Sequence, residues 1–200
     1  MAEARPEIDY VFGYGSLAEL RRPLLVAGVA IAPVAARLRG FRRVWGAAMN
    51  NWETGDDEKH FVDPRSGGKP RVRIAFLDIE EAEGSTVNGL AVPVDSSRLA
   101  EFDAREVNYT RFELSDALEP AFEQRVYAYR ATAGARERLE AGARDGDAVV
   151  GQEYLELVRR AFAGLGGESL AEFERTTAPL PFPQRDLELR QPESPDATGS

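Results

Sequence analysis

Residues 8–18 read Ile8-Asp9-Tyr10-Val11-Phe12-Gly13-Tyr14-Gly15-Ser16-Leu17-Ala18. The first five have the β-branched and aromatic content of a short strand, and the glycines at 13 and 15 stop it abruptly. A chain that leaves a strand through two glycines into a helix start presents backbone N–H groups without intrachain partners, which suits a carboxylate or a developing oxyanion. The competing reading is that the glycines only make a tight turn. The stretch also matches the dinucleotide pattern G-x-G-x-x-A through Gly13, Gly15 and Ala18. That pattern needs an acidic residue about twenty positions on, where this chain has Pro33-Val34-Ala35-Ala36-Arg37. Pro23 would also break the helix that has to follow. Binding of NAD or NADP is therefore not expected. Nor does Ser16 sit in the G-x-S-x-G context of a nucleophile elbow.

Outward from this turn, residues 17–30 read as a helical stretch in two pieces, divided at Pro23. Residues 34–48 alternate apolar with basic, as a strand with one wet face does, and Gly40 marks a bend or bulge. Residues 50–70 are rich in charge, Gly and Pro and read as a long mobile loop. His60, the single histidine, falls in it and reads as solvated. Strands are expected over 72–79 and 87–94, joined by the turn-rich EEAEGS. A helix from about Ser96, a strand pair at Tyr109–Leu114 and 125–130, and two C-terminal helices complete the pattern. Strands from both halves without regular βα alternation indicate an α+β fold, for which a small closed or nearly closed barrel fits. A single domain over 8–188 is expected, with 1–7 and 189–200 as flexible termini.

Composition narrows the chemistry. The 200 residues include no cysteine, which removes disulfides, thiolate nucleophiles and cysteine-rich metal sites. A formal net charge of −9 repels phosphate backbones, so no nucleic-acid partner is expected. The N-terminal residues lack an apolar run of signal or spanning length, which gives the expectation of a cytoplasmic protein without a membrane partner.

A second constellation lies at residues 96–109, SSRLAEFDAREVNY. Ser96 reads as the N-cap, and Leu99, Phe102 and Glu106 fall on one helical face. A carboxylate thus continues an apolar stripe at a helix C-terminus. Burial and the negative end of the macrodipole both favour its neutral form, which suits proton transfer. The alternative is a rim position paired with an arginine such as Arg111. Asp103 shares part of that face and is the lesser candidate.

Together, VFGYGSL, DAREVNY and GQEYLELV resemble the γ-glutamylcyclotransferase superfamily, in order and in spacing. The FGYGSL form is more similar to its ChaC-like or AIG2-like branch than to the branch reading YGSNL. The resemblance covers most of residues 8–160. It implies a mixed β-barrel flanked by α-helices, a cavity at the barrel mouth, no metal and no organic cofactor. Tyr14, Gly15, Ser16 and Leu17 would hold a γ-glutamyl group, Glu106 would be the acid/base, and Tyr109 and Tyr154 would line the pocket. The implied partner is a small-molecule γ-glutamyl substrate, the implied product 5-oxoproline, and the protein a monomer or homodimer. A non-catalytic module binding a small acidic metabolite is the alternative function. Glutathione, other γ-glutamyl peptides and γ-glutamyl amines all remain open as substrates.

Overall fold

The computed structural model describes residues 8–55, 59–114 and 117–190. In chain order the strands are β1 (Asp9–Gly13), β2 (Leu24–Val26), β3 (Val29–Ile31), β4 (Val34–Asn50), β5 (His60–Val62), β6 (Arg73–Val94), β7 (Tyr109–Leu114), β8 (Leu118–Glu119), β9 (Val126–Ala131), β10 (Ala148–Gly151), β11 (Gln184–Arg185) and β12 (Glu188–Arg190). The helices are α1 (Ser96–Arg105), α2 (Ala133–Asp145), α3 (Gln152–Gly164) and α4 (Ser169–Thr176). Eight strands form one mixed sheet, curled into a half-barrel against the four helices. This is the α+β architecture expected, with one C-terminal helix more than the sequence pattern indicated. Among the described residues no helix is long and apolar enough to cross a membrane.

The half-barrel is organised by β6, a single strand of 22 residues. One of its edges pairs antiparallel with β4 from Asn50↔Arg73 to Val34↔Ala91. The other edge takes β10 in parallel at Ala148↔Arg73 and β1 antiparallel from Gly13↔Leu90 to Asp9↔Val94. Beyond β1 lie β9, parallel to it, and β7, antiparallel to β9. The expected break at EEAEGS does not occur. Register jumps instead from Arg39↔Thr86 to Phe41↔Glu81, so residues 82–85 stand opposite Gly40 alone. Gly40 adopts φ +78°, a conformation that glycine reaches without strain. The turn-like residues therefore form a bulge that bends the strand rather than ending it.

The bulge changes which face of β4 is buried. Before it, Ala36 and Leu38 are the buried positions; after it, Arg43 and Trp45 are, and a second register shift between Trp45 and Ala47 lets Ala47, Ala48 and Met49 all be buried. A one-residue slip exchanges the two faces of a strand. The basic residues were expected on the wet face, yet Arg43 is fully buried.

Further expectations are corrected. Residues 17–30 are not helical: a 3₁₀ turn at Ser16–Glu19 gives way to the hairpin β2–β3. Its two-residue loop uses Ala27 and Gly28 at φ 49° and 80°, the geometry a tight hairpin turn requires. The N-cap of α1 is Asp95, whose side chain accepts from the Arg98 N–H at 2.9 Å, rather than Ser96. The segment 50–70 is fastened at several points. Asn51, fully buried, donates to the carbonyls of Phe61 (2.9 Å) and Pro70 (3.0 Å) and accepts from the Phe61 N–H (2.8 Å). β5 pairs with β12, which buries Phe61 and His60, so His60 is not solvated. Of the stretch expected to be flexible from 189 onward, Leu189 and Arg190 belong to β12. Residues 1–7 and 191–200 lie outside the described residues.

Two apolar clusters fill the interior. The larger joins Phe12, Tyr14, Trp45, Leu77, Val92 and Phe162 under the half-barrel. The smaller gathers Met49, Phe61, Ile74, Phe76 and Leu187. Tyr109 and Tyr154 pack against both.

Candidate active site

The turn after β1 is shaped by a close approach. A Cβ on Gly13 would stand 2.5 Å from Leu17 Cβ, so only glycine lets the chain fold back over itself there. The Ala18 N–H bonds to Gly15 O (3.0 Å) and the Leu20 N–H to Leu17 O (3.1 Å). Among the described residues, Gly15 and Ser16 donate no backbone hydrogen bond, which leaves their N–H groups at the strand end for a ligand. The Tyr14 hydroxyl donates to Tyr129 O at 2.7 Å and is buried in the core. Tyr14 therefore faces the site with its backbone and not with its phenol. Burial, reinforced by the charge of Asp78 and by Tyr154 and Glu106, raises that phenol well above its usual pKa.

Behind the turn lies Arg43, a residue the sequence reading missed. Its Nε donates to Tyr14 O at 2.7 Å, its Nη2 to Asn88 O and Oδ1, and its Nη1 to Thr177 Oγ1 (3.0 Å) and Thr176 Oγ1 (3.2 Å). The guanidinium also lies 5.0 and 4.5 Å from the ring centroids of Phe162 and Phe173, which stack on each other. Burial pulls its pKa down to about 9. Arg43 thus ties the cradle to β6 and α4 and fixes the direction of the Tyr14 carbonyl. The sequence signal was Gly40, since a bulge there moves the buried positions of β4 from Ala36 and Leu38 to Arg43 and Trp45.

Glu106 is the C-cap of α1. Its N–H donates to Phe102 O and its carbonyl accepts from the Tyr109 N–H at 2.8 Å, so the backbone is held on both sides of the carboxylate. The side chain is 21% exposed, and Arg105 Nη2 stands 3.4 Å from its Oε1. Arg111, named as its alternative partner, instead pairs with Asp103 at 2.6 Å. Asp103 also accepts from the Tyr129 hydroxyl at 2.7 Å. The lesser candidate is thereby occupied on both oxygens, while Glu106 has, among the described residues, one long contact to a cation. Leu99 and Phe102, the apolar members of its face, are buried as expected.

Both tyrosines meet the backbone of Leu77 on β6. The Tyr109 hydroxyl donates to Leu77 O at 2.8 Å, and the Leu77 N–H reaches the Tyr154 oxygen at 3.4 Å. The same Tyr154 oxygen stands 3.5 Å from the point a Gly15 Cβ would occupy, so it looks directly onto the cradle. Burial raises both phenols above their ordinary range, and the charge of Glu106 adds to each rise. Tyr154 accepts from Leu77 and keeps its own proton as a donor. Trp45, paired with Leu77 across the ladder, sets its ring edge-on to Tyr154 at 6.4 Å. Its buried indole N–H has no hydrogen-bond partner among the described residues.

The structure therefore brings Gly15, Tyr109, Tyr154 and Glu106 into one neighbourhood, with Leu17 turned back over Gly13. Asp78 lies close by and is structural: it accepts from the Ala131 N–H (2.9 Å) and from Arg136 (3.1 Å), and burial raises its pKa. Among the described residues, no group of three or more His, Asp or Glu side chains is placed to hold a metal ion.

Neither family models nor curated proteins give a match to this chain. Solved structures do. One described as a gamma-glutamyl cyclotransferase aligns over 88% of this chain and 91% of its own, at 16% identity and a TM-score of 0.51. YkqA from Bacillus subtilis aligns over 90% of this chain and 56% of its own, at 16% identity and a TM-score of 0.49. A yeast gamma-glutamyl cyclotransferase specific to glutathione aligns over 88% and 89%, at 16% identity and a TM-score of 0.45. At such identities the common property is architecture. The chain has the fold of a solved gamma-glutamyl cyclotransferase.

Proposed function

We propose that this protein is a γ-glutamylcyclotransferase, with Glu106 as the residue that moves the proton. The observation that carries the reading is the position of Glu106. It is a partly buried carboxylate whose charge bears on Tyr109 and Tyr154, and Tyr154 in turn faces the amide-bearing turn at Gly15. A pure anion-binding pocket gains nothing from a second negative charge, whereas a cyclisation needs one.

The reaction is an intramolecular acyl transfer. The α-amino nitrogen of the γ-glutamyl group attacks its own γ-carbonyl carbon, the C–N bond to the leaving amine breaks, and 5-oxoproline forms. A substrate amine of pKa about 8 is mostly protonated near neutral pH and must lose that proton to attack. The leaving nitrogen must gain one. A single carboxylate between the two nitrogens takes the first proton and delivers the second, and no electron changes hands. In this scheme the N–H groups of Gly15 and Ser16, with Tyr14 and Leu17 shaping the turn, hold the substrate carboxylate. Tyr109 walls the pocket. Tyr154, protonated at every physiological pH, donates to the γ-carbonyl oxygen as negative charge develops there.

Incubating the purified protein with γ-glutamyl amino acids, γ-glutamyl peptides and γ-glutamyl amines, and assaying 5-oxoproline, tests the reading. Release from at least one of them is expected. Saturable binding of these compounds without any 5-oxoproline would favour the non-catalytic module instead.

A further inference from the structure

Lys59 stands immediately before β5, and its position is set by the bonds of Asn51 to Phe61 and by the pairing of β5 with β12. Its Nζ lies 4.9 Å from the centroid of Phe76, and Phe76 packs edge-on against Tyr154 at 5.0 Å. Across the site the order is therefore Gly15, Tyr154, Phe76, Lys59. Lys59 is accessible to water. Even so, surrounding protein atoms lower its pKa from the ordinary lysine value; Glu106 opposes that shift and Arg105 adds to it. Lys59 is thus a solvent-exposed cation whose Nζ stands against Phe76, itself packed on Tyr154. Arg105, whose charge also bears on Lys59, is engaged with Glu106. Lys59 makes no ion pair among the described residues.

A γ-glutamyl substrate carries its α-carboxylate and α-amino group on one side of the scissile amide and the leaving group on the other. With the α-carboxylate on the cradle, the chain passes Tyr154 and points its leaving group along the Phe76 wall. We propose that Lys59 binds a carboxylate on that leaving group, so that γ-glutamyl amino acids and peptides are preferred over γ-glutamyl amines. The inference rests on the cyclotransferase reading and adds to it the class of leaving group. The ring of Phe76 holds the ammonium by a cation–π contact while no ligand is bound, and a carboxylate then offers it a charge-assisted hydrogen bond.

γ-Glutamyl-alanine and γ-glutamyl-ethylamide differ only by the carboxylate in question, which makes them the probes of choice. The wild type is expected to release 5-oxoproline from the alanine compound with a kcat/KM higher by ~10–100-fold, the worth of one hydrogen bond to a charged group. Lys59→Met should remove that preference by lowering the alanine value and leaving the ethylamide value unchanged, and Lys59→Arg should retain most of it. Equal kcat/KM values for the two compounds in the wild type, or a Lys59→Met loss that falls equally on both, would overturn the inference while leaving the cyclotransferase reading intact. Absence of 5-oxoproline from either compound, and from the wider substrate panel, would remove the underlying reading and this inference with it.

Discussion

Gly13 and Gly15 are close neighbours in the chain, and each tolerates a side chain differently. At Gly13 an added methyl would meet Leu17 Cβ at 2.5 Å and Leu17 C at 3.1 Å, so the turn has to move. Gly13→Ala is expected to cost ~1–3 kcal/mol of stability, as overpacking does, and to lower the melting temperature. At Gly15 the nearest atom to an added methyl is the Tyr154 oxygen at an ordinary 3.5 Å. Gly15→Ala should therefore fold like the wild type while its methyl occupies the space assigned to substrate, raising KM for γ-glutamyl compounds. Thermal melts and steady-state assays on both variants check the contrast. A Gly15→Ala enzyme with unchanged KM would take the substrate away from the turn. The sequence pattern identified these glycines but not Arg43 behind them, since a basic residue in an alternating strand reads as solvent-facing until the bulge is known.

At the scale of elements, what was legible followed from strong local patterns. β1 is legible from IDYVF and the glycines after it, and α1 from its apolar spacing. β7 and β9 are legible from runs of aromatic and β-branched residues. The hairpin β2–β3 was not legible, because its loop places an alanine at positive φ, which no turn-residue rule anticipates. The continuity of β6 was hidden because the residues that make its bulge are those that make turns. The segment 50–70 misled for a different reason. Its composition is that of a loop, but Asn51 and Phe61 fasten it through contacts with residues distant in sequence. Phe61 is 1% exposed and packs with Phe76 and Leu187. Phe61→Ala is accordingly expected to cost ~3–5 kcal/mol, and excision of residues 54–68, which removes β5, should lower the melting temperature sharply. A deletion variant melting like the wild type would mean that the segment contributes nothing to packing.

At the scale of the whole molecule, curling the sheet gathers side chains from five places in the chain: the turn after β1, β6, the end of α1, the start of β7, and α3. Glu106, Tyr109 and Tyr154 were legible because each lies in a short string with a recognisable pattern. Lys59 and Trp45 were not, since only the pairing of β5 with β12 and of β4 with β6 brings them near Tyr154. The same curl places the backbone of Leu77 between the hydroxyls of Tyr109 and Tyr154. The most direct test of this account is 5-oxoproline release by wild type and Glu106→Gln, assayed side by side with a thermal melt of each protein. The substitution keeps size and hydrogen-bonding capacity and removes the ability to accept a proton. Turnover is predicted to fall by ~10²–10⁴-fold, as for loss of a general base, with substrate affinity and melting temperature held. A Glu106→Gln protein that turns over near the wild-type rate, or that loses activity only because it no longer folds, would contradict the account.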